Sequence, residues 1–372
     1  MGSSTLRVAV LGAGHGGMAT AGALALEGFP VNLFGFFEQE LEPIRARGGI
    51  QLIGTIDGFA KLNLITTAID KALHNVNLIL VILPAMAHKT VASLCTSHFR
   101  DGQVLLLSPG RTGGAIEFAR TASRFGLQAR IILAEAQTFL YASETREPAL
   151  VEIMGIKKKV RIAALPAQHT KEALSILNQV SPRYVAARNV LETSLNNVGA
   201  VVHPAPMLLN TGLLDRAAAG EDLRYYRDIL TPTICSRVLE KIDAEKVALV
   251  KALGLDALSA KTWYHECYGA EGSNLYEALQ NCAPYAGYSA PKGLLEYHHV
   301  LDEVPNSLVP MASFGDTLKV PTPMIKAIVN LACQICGIDF WSEGRTVATL
   351  GLAGLSVKEM TELVEKRELL PD

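Results

Sequence analysis

The chain has 372 residues, 49% hydrophobic and 19% charged, so it is long enough for two domains, can bury a substantial interior and is not disordered. Thirty-four Lys and Arg against 36 Asp and Glu leave a formal charge of −2. That balance lacks the basic excess that phosphate contacts to nucleic acid or anionic lipid require.

Met1–Thr5 leads straight into an apolar run without the basic-then-apolar layout of a signal peptide, and a cytoplasmic protein is expected. The longest apolar run, Leu78 to Ala87, is half a membrane span, and the scattered cysteines form no disulfide framework. Leu6–Leu11, Val31–Phe36, Leu78–Leu83, Val104–Leu107 and Arg130–Leu133 are short runs rich in Val, Ile and Leu, as strands buried on both faces are. Ala- and Leu-rich stretches at Met18–Glu27 and Ala87–Ser97 separate them at helical spacing. Strand alternating with helix predicts an α/β Rossmann fold, a doubly wound parallel sheet. Ala149–Ile156 and Val160–Leu165, close together around Lys157-Lys158-Lys159, predict an antiparallel hairpin at the sheet edge.

From Val190 to Leu370 no convincing β run appears. Tyr225–Leu253 keeps apolar residues at three- and four-residue spacing and closes with Gly254. Met324–Cys336 reads as a helix launched by Pro321-Thr322-Pro323 and stopped at Gly337. The division expected is therefore a dinucleotide-binding domain over residues 1–187 and an all-helical substrate and catalytic domain over 188–372.

Gly12-Ala13-Gly14-His15-Gly16-Gly17 contains GxGxxG directly after the first strand and opens an Ala-rich helix. Gly12 permits the tight turn, Gly14 lets backbone approach a pyrophosphate, and Gly17 lets helix and strand pack closely. The helix N-terminus adds N–H donors and a positive partial charge. An NAD enzyme usually carries an acid for the ribose at the end of the second strand, and Gly35 stands there instead. Glu38 is the nearest carboxylate, no Arg follows immediately, and NAD and NADP both stay open as cofactor. Pro84, Pro109, Gly110 and Glu135 follow buried strands and fall where loops border a cofactor crevice, although an ordinary strand stop explains them equally.

In the second half, His203 ends an apolar helical run and Pro204 forces a break right after it. A histidine at such a break is a candidate acid/base, with a satisfied core histidine as the plainer alternative. Asn197, six residues earlier, is a candidate substrate hydrogen-bonder.

GAGHGGMA at 12–19, LLLSPGRTGG at 105–114, LNNVGAVVHPAPMLLN at 195–210, PNSLVP at 305–310, VPTP at 320–323 and GRTVATLGL at 344–352 follow one another along nearly the whole chain. In order and spacing they resemble the NAD/NADP octopine/nopaline (opine) dehydrogenase family. The resemblance implies a Rossmann domain followed by a helical one, and reductive condensation of an amino acid with a 2-oxo acid through an imine. It also implies that His203 is the catalytic histidine and that its acidic partner lies in Leu301-Asp302-Glu303-Val304-Pro305. By register that partner is Glu303, with Asp302 its competitor. Family members similar to octopine dehydrogenase carry Arg-Tyr just before this motif, where this chain has His298-His299. His298 then falls at the position that grips the oxo acid's carboxylate, as a shorter and conditionally charged donor.

Cys333-Gln334-Ile335-Cys336 has CxxC spacing but lies inside an apolar helix, where buried small hydrophobes are expected rather than a metal. The competing readings are a ketopantoate-reductase-like enzyme acting on a simple 2-oxo acid, and a nicotinamide-binding regulatory protein without catalysis. The partners expected are an amino acid and a 2-oxo acid, no nucleic acid or membrane, and a second copy of the chain as homodimer.

Overall fold

A computed structural model describes residues 6–293 and 298–366; Met1–Thr5 and the end of the expected helical stretch, 367–370, lie outside the described residues. The chain forms two compact units. Among the described residues, unit 1 holds 6–110, 115–190 and 363–366, and unit 2 holds 111–114, 191–293 and 298–362, so the division is not a single cut.

Unit 1 is built on an eight-stranded sheet in the order β12-β11-β8-β7-β6-β1-β2-β5. Its members are β1 Val8–Leu11, β2 Val31–Phe34, β5 Leu64–Thr66, β6 Leu78–Val81, β7 Val104–Leu107, β8 Ile132–Ala136, β11 Val160–Leu165 and β12 Tyr184–Ala186. All neighbours pair parallel except β8 with β11. β1, β2, β6 and β7 are buried at every residue, which is why they read as unbroken apolar runs instead of alternating ones. Strand order reverses at β1, which lies between β2 and β6, and open α/β sheets bind ligands beyond the carboxyl ends of strands at such a point.

A second sheet, β4-β3-β10-β9, is formed by β3 Ile50–Gly54, β4 Gly58–Ala60, β9 Tyr141–Glu147 and β10 Leu150–Ile156. Helix α1, His15–Leu26, packs against strands of both sheets and is buried from Gly16 through Leu24. Its Gly and Ala residues make that possible: a Cβ on Gly22 would come within 3.0 Å of the Leu52 side chain of β3. Four further helices of this unit are α2 Glu38–Arg47, α3 Ile69–Leu73, α4 His88–Cys95 and α5 Gly114–Arg124.

The expected hairpin is corrected here. β10 belongs to the second sheet and pairs antiparallel with β9, whereas β11 belongs to the main sheet between β8 and β12. The segment between them crosses from one sheet to the other, with Lys157 buried and its N–H bonded to Leu140 O at 3.0 Å. The strand expected at Arg130–Leu133 runs instead from Ile132 to Ala136, which puts Glu135 inside it.

Past helix α6, Thr170–Val180, and β12, the described residues of unit 2 contain no strand. Helices α7 Val190–Leu195, α8 Gly199–Val202 and α9 Pro204–Leu209 follow in close succession. The periodicity of Tyr225–Leu253 does not give one helix. It is divided into π-turns at Tyr225–Ile229 and Cys235–Leu239, a short turn at Pro232–Ile234 capped by the Thr231 hydroxyl, and the helix Glu240–Ala252. Pro232 lacks the N–H that a continuous helix would need. The helix Pro323–Cys336 ends on Gly337 at φ +66°, the left-handed stop that glycine provides.

Candidate active site

The glycine turn of unit 1 follows β1 at the carboxyl edge of the sheet. Gly12 has φ +121°, and a Cβ there would fall 2.3 Å from Ile82 O. A Cβ on Gly17 would fall 1.8 Å from Gly12 O, so helix and turn touch backbone to backbone. Gly14 differs: it is exposed, and a Cβ on it would meet nothing within 4 Å. This open backbone is the N-cap of α1, where the first turn has no acidic residue and glycine brings no capping side chain. A dinucleotide pyrophosphate fits such a cradle, because the helix end offers positive partial charge and the open glycine admits its oxygens.

His15, half-buried at the first position of α1, lies 3.2 Å from Ser143 Oγ through Nδ1, and burial lowers its pKa against the pull of Glu144. Ala13 and Gly16 are buried beneath the turn. Gly35 is buried too, and a Cβ there would be 3.2 Å from that of Ala13, so its bareness lets the two loops meet. Pro84 is exposed after β6, and Pro109 and Gly110 are buried after β7.

Glu135 is a correction. It is fully buried within β8, its Oε2 accepts the Ala115 N–H at 2.9 Å, and its chain occupies the place a Gly110 Cβ would need. Its post is at the start of α5, not on a surface that a cofactor could reach.

The acid/base candidates gather in unit 2. His203 sits at the junction of α8 and α9, where Pro204 and Pro206 follow. Pro206 has no N–H for Val202 O, and the buried Tyr225 hydroxyl supplies the missing proton, 2.8 Å from Val202 O and 3.0 Å from His203 O. Glu303 opens a five-residue π-turn, Val304–Leu308, a helix form that recurs at functional sites. His203 Nδ1 and Glu303 Oε1 are 2.8 Å apart.

Every lone-pair direction of Glu303 is taken. Oε1 also meets Arg111 Nη1 at 2.5 Å, while Oε2 accepts Ser307 Oγ at 2.7 Å and Asn197 Nδ2 at 3.2 Å. Burial alone would raise this carboxyl, yet the Arg111 charge and the His203 and Ser307 hydrogen bonds outweigh it and bring the pKa down to about 2. An ionised carboxylate only accepts, so Nδ1 of His203 is the donor in this bond and Nε2 takes no part in it. Asp302, also fully buried, turns elsewhere, to Arg111 Nε at 3.3 Å and Asn306 Nδ2 at 3.2 Å.

One expectation changes. Asn197 is 2% exposed and spends its side chain internally, accepting from Gly199 N at 2.9 Å and donating to Glu303 and Ser307. It braces the carboxylate and offers nothing to a substrate. Of the two histidines before the acids, His299 lies against His203, while half-buried His298 meets His299 edge to face at 4.8 Å. Sequence reasoning missed Arg111, which sits at φ +60°, a conformation costing a non-glycine residue on the order of 1 kcal/mol. Cys333 and Cys336 are half-buried instead of buried, and among the described residues no group of three or more His, Cys, Asp or Glu is placed to hold a metal ion.

A family model for the alpha-helical domain of NAD/NADP octopine/nopaline dehydrogenase matches residues 186–336. An opine dehydrogenase of Arthrobacter sp. (strain 1C) is 37% identical over 358 residues, 96% of this chain and 98% of that protein. The protein ocs of Agrobacterium tumefaciens (strain Ach5) is 24% identical across 94% of this chain and 96% of its own length. A solved structure of octopine dehydrogenase with NADH and L-arginine, 18% identical, shares the fold at a TM-score of 0.73 over 98% of this chain and 99% of that one. Similarity of this extent, running through both units, means that the chain belongs to the opine dehydrogenase family.

Proposed function

We propose that the protein is an NAD(P)-dependent opine dehydrogenase, joining the amino group of an amino acid or amine to a 2-oxo acid and reducing the resulting imine to a secondary amine. The observation that carries this reading is the 2.8 Å hydrogen bond from His203 to a carboxylate whose other positions are all filled. Family membership adds the reaction class, and the relative at 37% identity bears the name opine dehydrogenase.

In the condensing direction, the protonated Nε2 of His203 donates to the oxo acid's carbonyl oxygen as the amine adds to its carbon. The added nitrogen then gives a proton to the now neutral His203, which passes it to the hydroxyl; the C–O bond breaks, water leaves and the protonated imine remains. Glu303 holds the imidazole in the tautomer that this requires and stabilises its positive charge. In the reverse direction, neutral His203 takes a proton from the water that hydrolyses the imine. The turn at Gly12, Gly14 and Gly17 would hold a reduced nicotinamide dinucleotide, which when bound would supply the hydride that the imine carbon accepts. NAD and NADP both suit that turn, which would hold the pyrophosphate shared by the two. His298 remains a candidate contact for the oxo acid's carboxylate.

The same reading takes the cytoplasm as the compartment, where free cysteines such as Cys95 and Cys235 stay reduced, and a homodimer as the assembly, to be checked by its mass in solution. A panel of amino donors crossed with pyruvate, glyoxylate and 2-oxoglutarate, followed as NADH and NADPH consumption, tests the activity. Turnover that requires both substrates is expected. Turnover with the oxo acid alone would make the protein a simple oxo-acid reductase, and dinucleotide binding without turnover a regulatory protein.

A further inference from the structure

Arg111 belongs by sequence to the loop after β7, yet it packs as part of unit 2. Residues 111–114 are tied there by Thr112 N to Asn306 O at 3.0 Å, Gly113 N to Ser194 Oγ at 3.0 Å, and Arg345 Nη1 to Thr112 O at 3.3 Å. These bonds hold Arg111 in its left-handed conformation and direct its guanidinium between two fully buried carboxylates, Glu303 and Asp302. The space is filled to contact. A Cβ on Gly199, at the start of His203's own helix, would come within 2.2 Å of Glu303 Oε1 and 2.7 Å of Arg111 Nη1.

The charges explain the arrangement. Two buried carboxylates side by side are costly without a counter-charge. One guanidinium against two carboxylates leaves a net charge of −1, which a proton on His203 cancels. Without Arg111 the same groups would stand at −2 with His203 neutral and −1 with it protonated, so the pair would hold its proton more tightly. The other groups facing it are His299, stacked on His203, His298 at the edge of His299, and the Tyr225 hydroxyl on the His203 carbonyl.

We propose that Arg111 is a positioning residue that aims Glu303 at His203 and balances the charge of the buried carboxylates beside it, which sets how tightly the pair holds its proton. The inference rests on the reading of His203 as acid/base. Arg111 acts through Glu303 and is not the anchor of a substrate carboxylate, because its Nε and Nη1 are already committed to two acids of this chain.

The test compares Arg111→Met, Arg111→Lys and the double variant Arg111→Met/Asp302→Asn in the full chain, by the pH profile of kcat/KM for the oxo acid, with NADH binding as the check on folding. For Arg111→Met, kcat should fall roughly tenfold to a hundredfold at nearly unchanged KM, and the alkaline limb should move up by about one pH unit. Arg111→Lys should return the limb to its wild-type position, and so should the double variant, which removes one charge of each sign. Should Arg111→Met not bind NADH, the other two decide, and a displaced limb in either overturns the proposal. An Arg111→Met enzyme with an unmoved limb overturns it as well, and one with KM raised tenfold or more at an unmoved limb would make Arg111 a substrate anchor. Full turnover in His203→Asn would instead remove the acid/base reading itself.

Discussion

The imidazole rings of His203 and His299 lie face to face, with centroids 3.9 Å apart and planes inclined by 14°. The Tyr225 ring also lies against His299, with centroids 5.4 Å apart and planes tilted by 58°. Glu303 fixes one nitrogen of His203 and the His299 ring fixes its plane, so Nε2 has a single direction. Removing the flat face frees the His203 ring to rotate. His299→Ala is expected to cost about tenfold in kcat, whereas His299→Phe, which keeps a face to stack on, should retain most of the activity. Steady-state turnover of the two variants at one pH separates them.

His203→Asn keeps a polar side chain of similar size while removing the exchangeable proton. Turnover should fall by roughly 10²–10⁴. NADH affinity should stay near that of the wild type, because the glycine turn lies in the other compact unit. Fluorescence quenching of bound NADH beside a rate measurement checks both halves of the expectation.

The parts of this architecture that sequence discloses are those whose cause is local. The glycine turn is legible because the backbone itself demands glycine at Gly12 and Gly17, and the four buried strands because burial on both faces removes their polar residues. The second sheet is not legible, since β3 pairs with β10 across about a hundred residues and β9 ends in the polar run Glu144–Glu147. Proximity in sequence misled at β10 and β11, which look like a hairpin and belong to different sheets. The acids at 302 and 303 came into view only through family resemblance. Arg111, the group that makes them compatible with burial, is 191 residues from Asp302 and carries no local signal beyond its place in a glycine-rich loop. Asn197 was legible as a polar residue ahead of an apolar helical stretch, but its role changes once its amide is seen to donate to Glu303 and to Ser307, whose hydroxyl donates to Glu303 in turn.

The depressed pKa of Glu303 makes a prediction about stability. Its carboxyl titrates near 2 when folded, against an ordinary value of 4.5. A lowered folded pKa means that the unfolded chain takes up the proton first as pH falls. The stabilisation is therefore complete above about pH 4.5 and is lost progressively down to about pH 2, by an amount on the order of 3 kcal/mol. Glu303→Gln cannot titrate there. Thermal unfolding followed from pH 6 downward, or about as far as the protein stays soluble, should show a shallower acid decline in Glu303→Gln than in the wild type. Equal slopes would mean that the carboxylate is not held ionised by Arg111 and His203.

Gly14 and Gly17 should fail in opposite ways. At Gly17 an added methyl would lie 1.8 Å from Gly12 O, so Gly17→Ala must push α1 away from the turn. A loss of about 3 kcal/mol or more is expected, read as a lower thermal midpoint without any ligand. At Gly14 the methyl meets no protein atom within 4 Å and the backbone, at φ −71°, suits alanine. Gly14→Ala should therefore unfold at the wild-type temperature and lose about tenfold or more in dinucleotide affinity, because the methyl enters the space assigned to the pyrophosphate. Calorimetric titration with NADH and with NADPH, set beside the melting curves, measures both properties on the same samples. Wild-type affinity in Gly14→Ala would place the dinucleotide somewhere other than this turn.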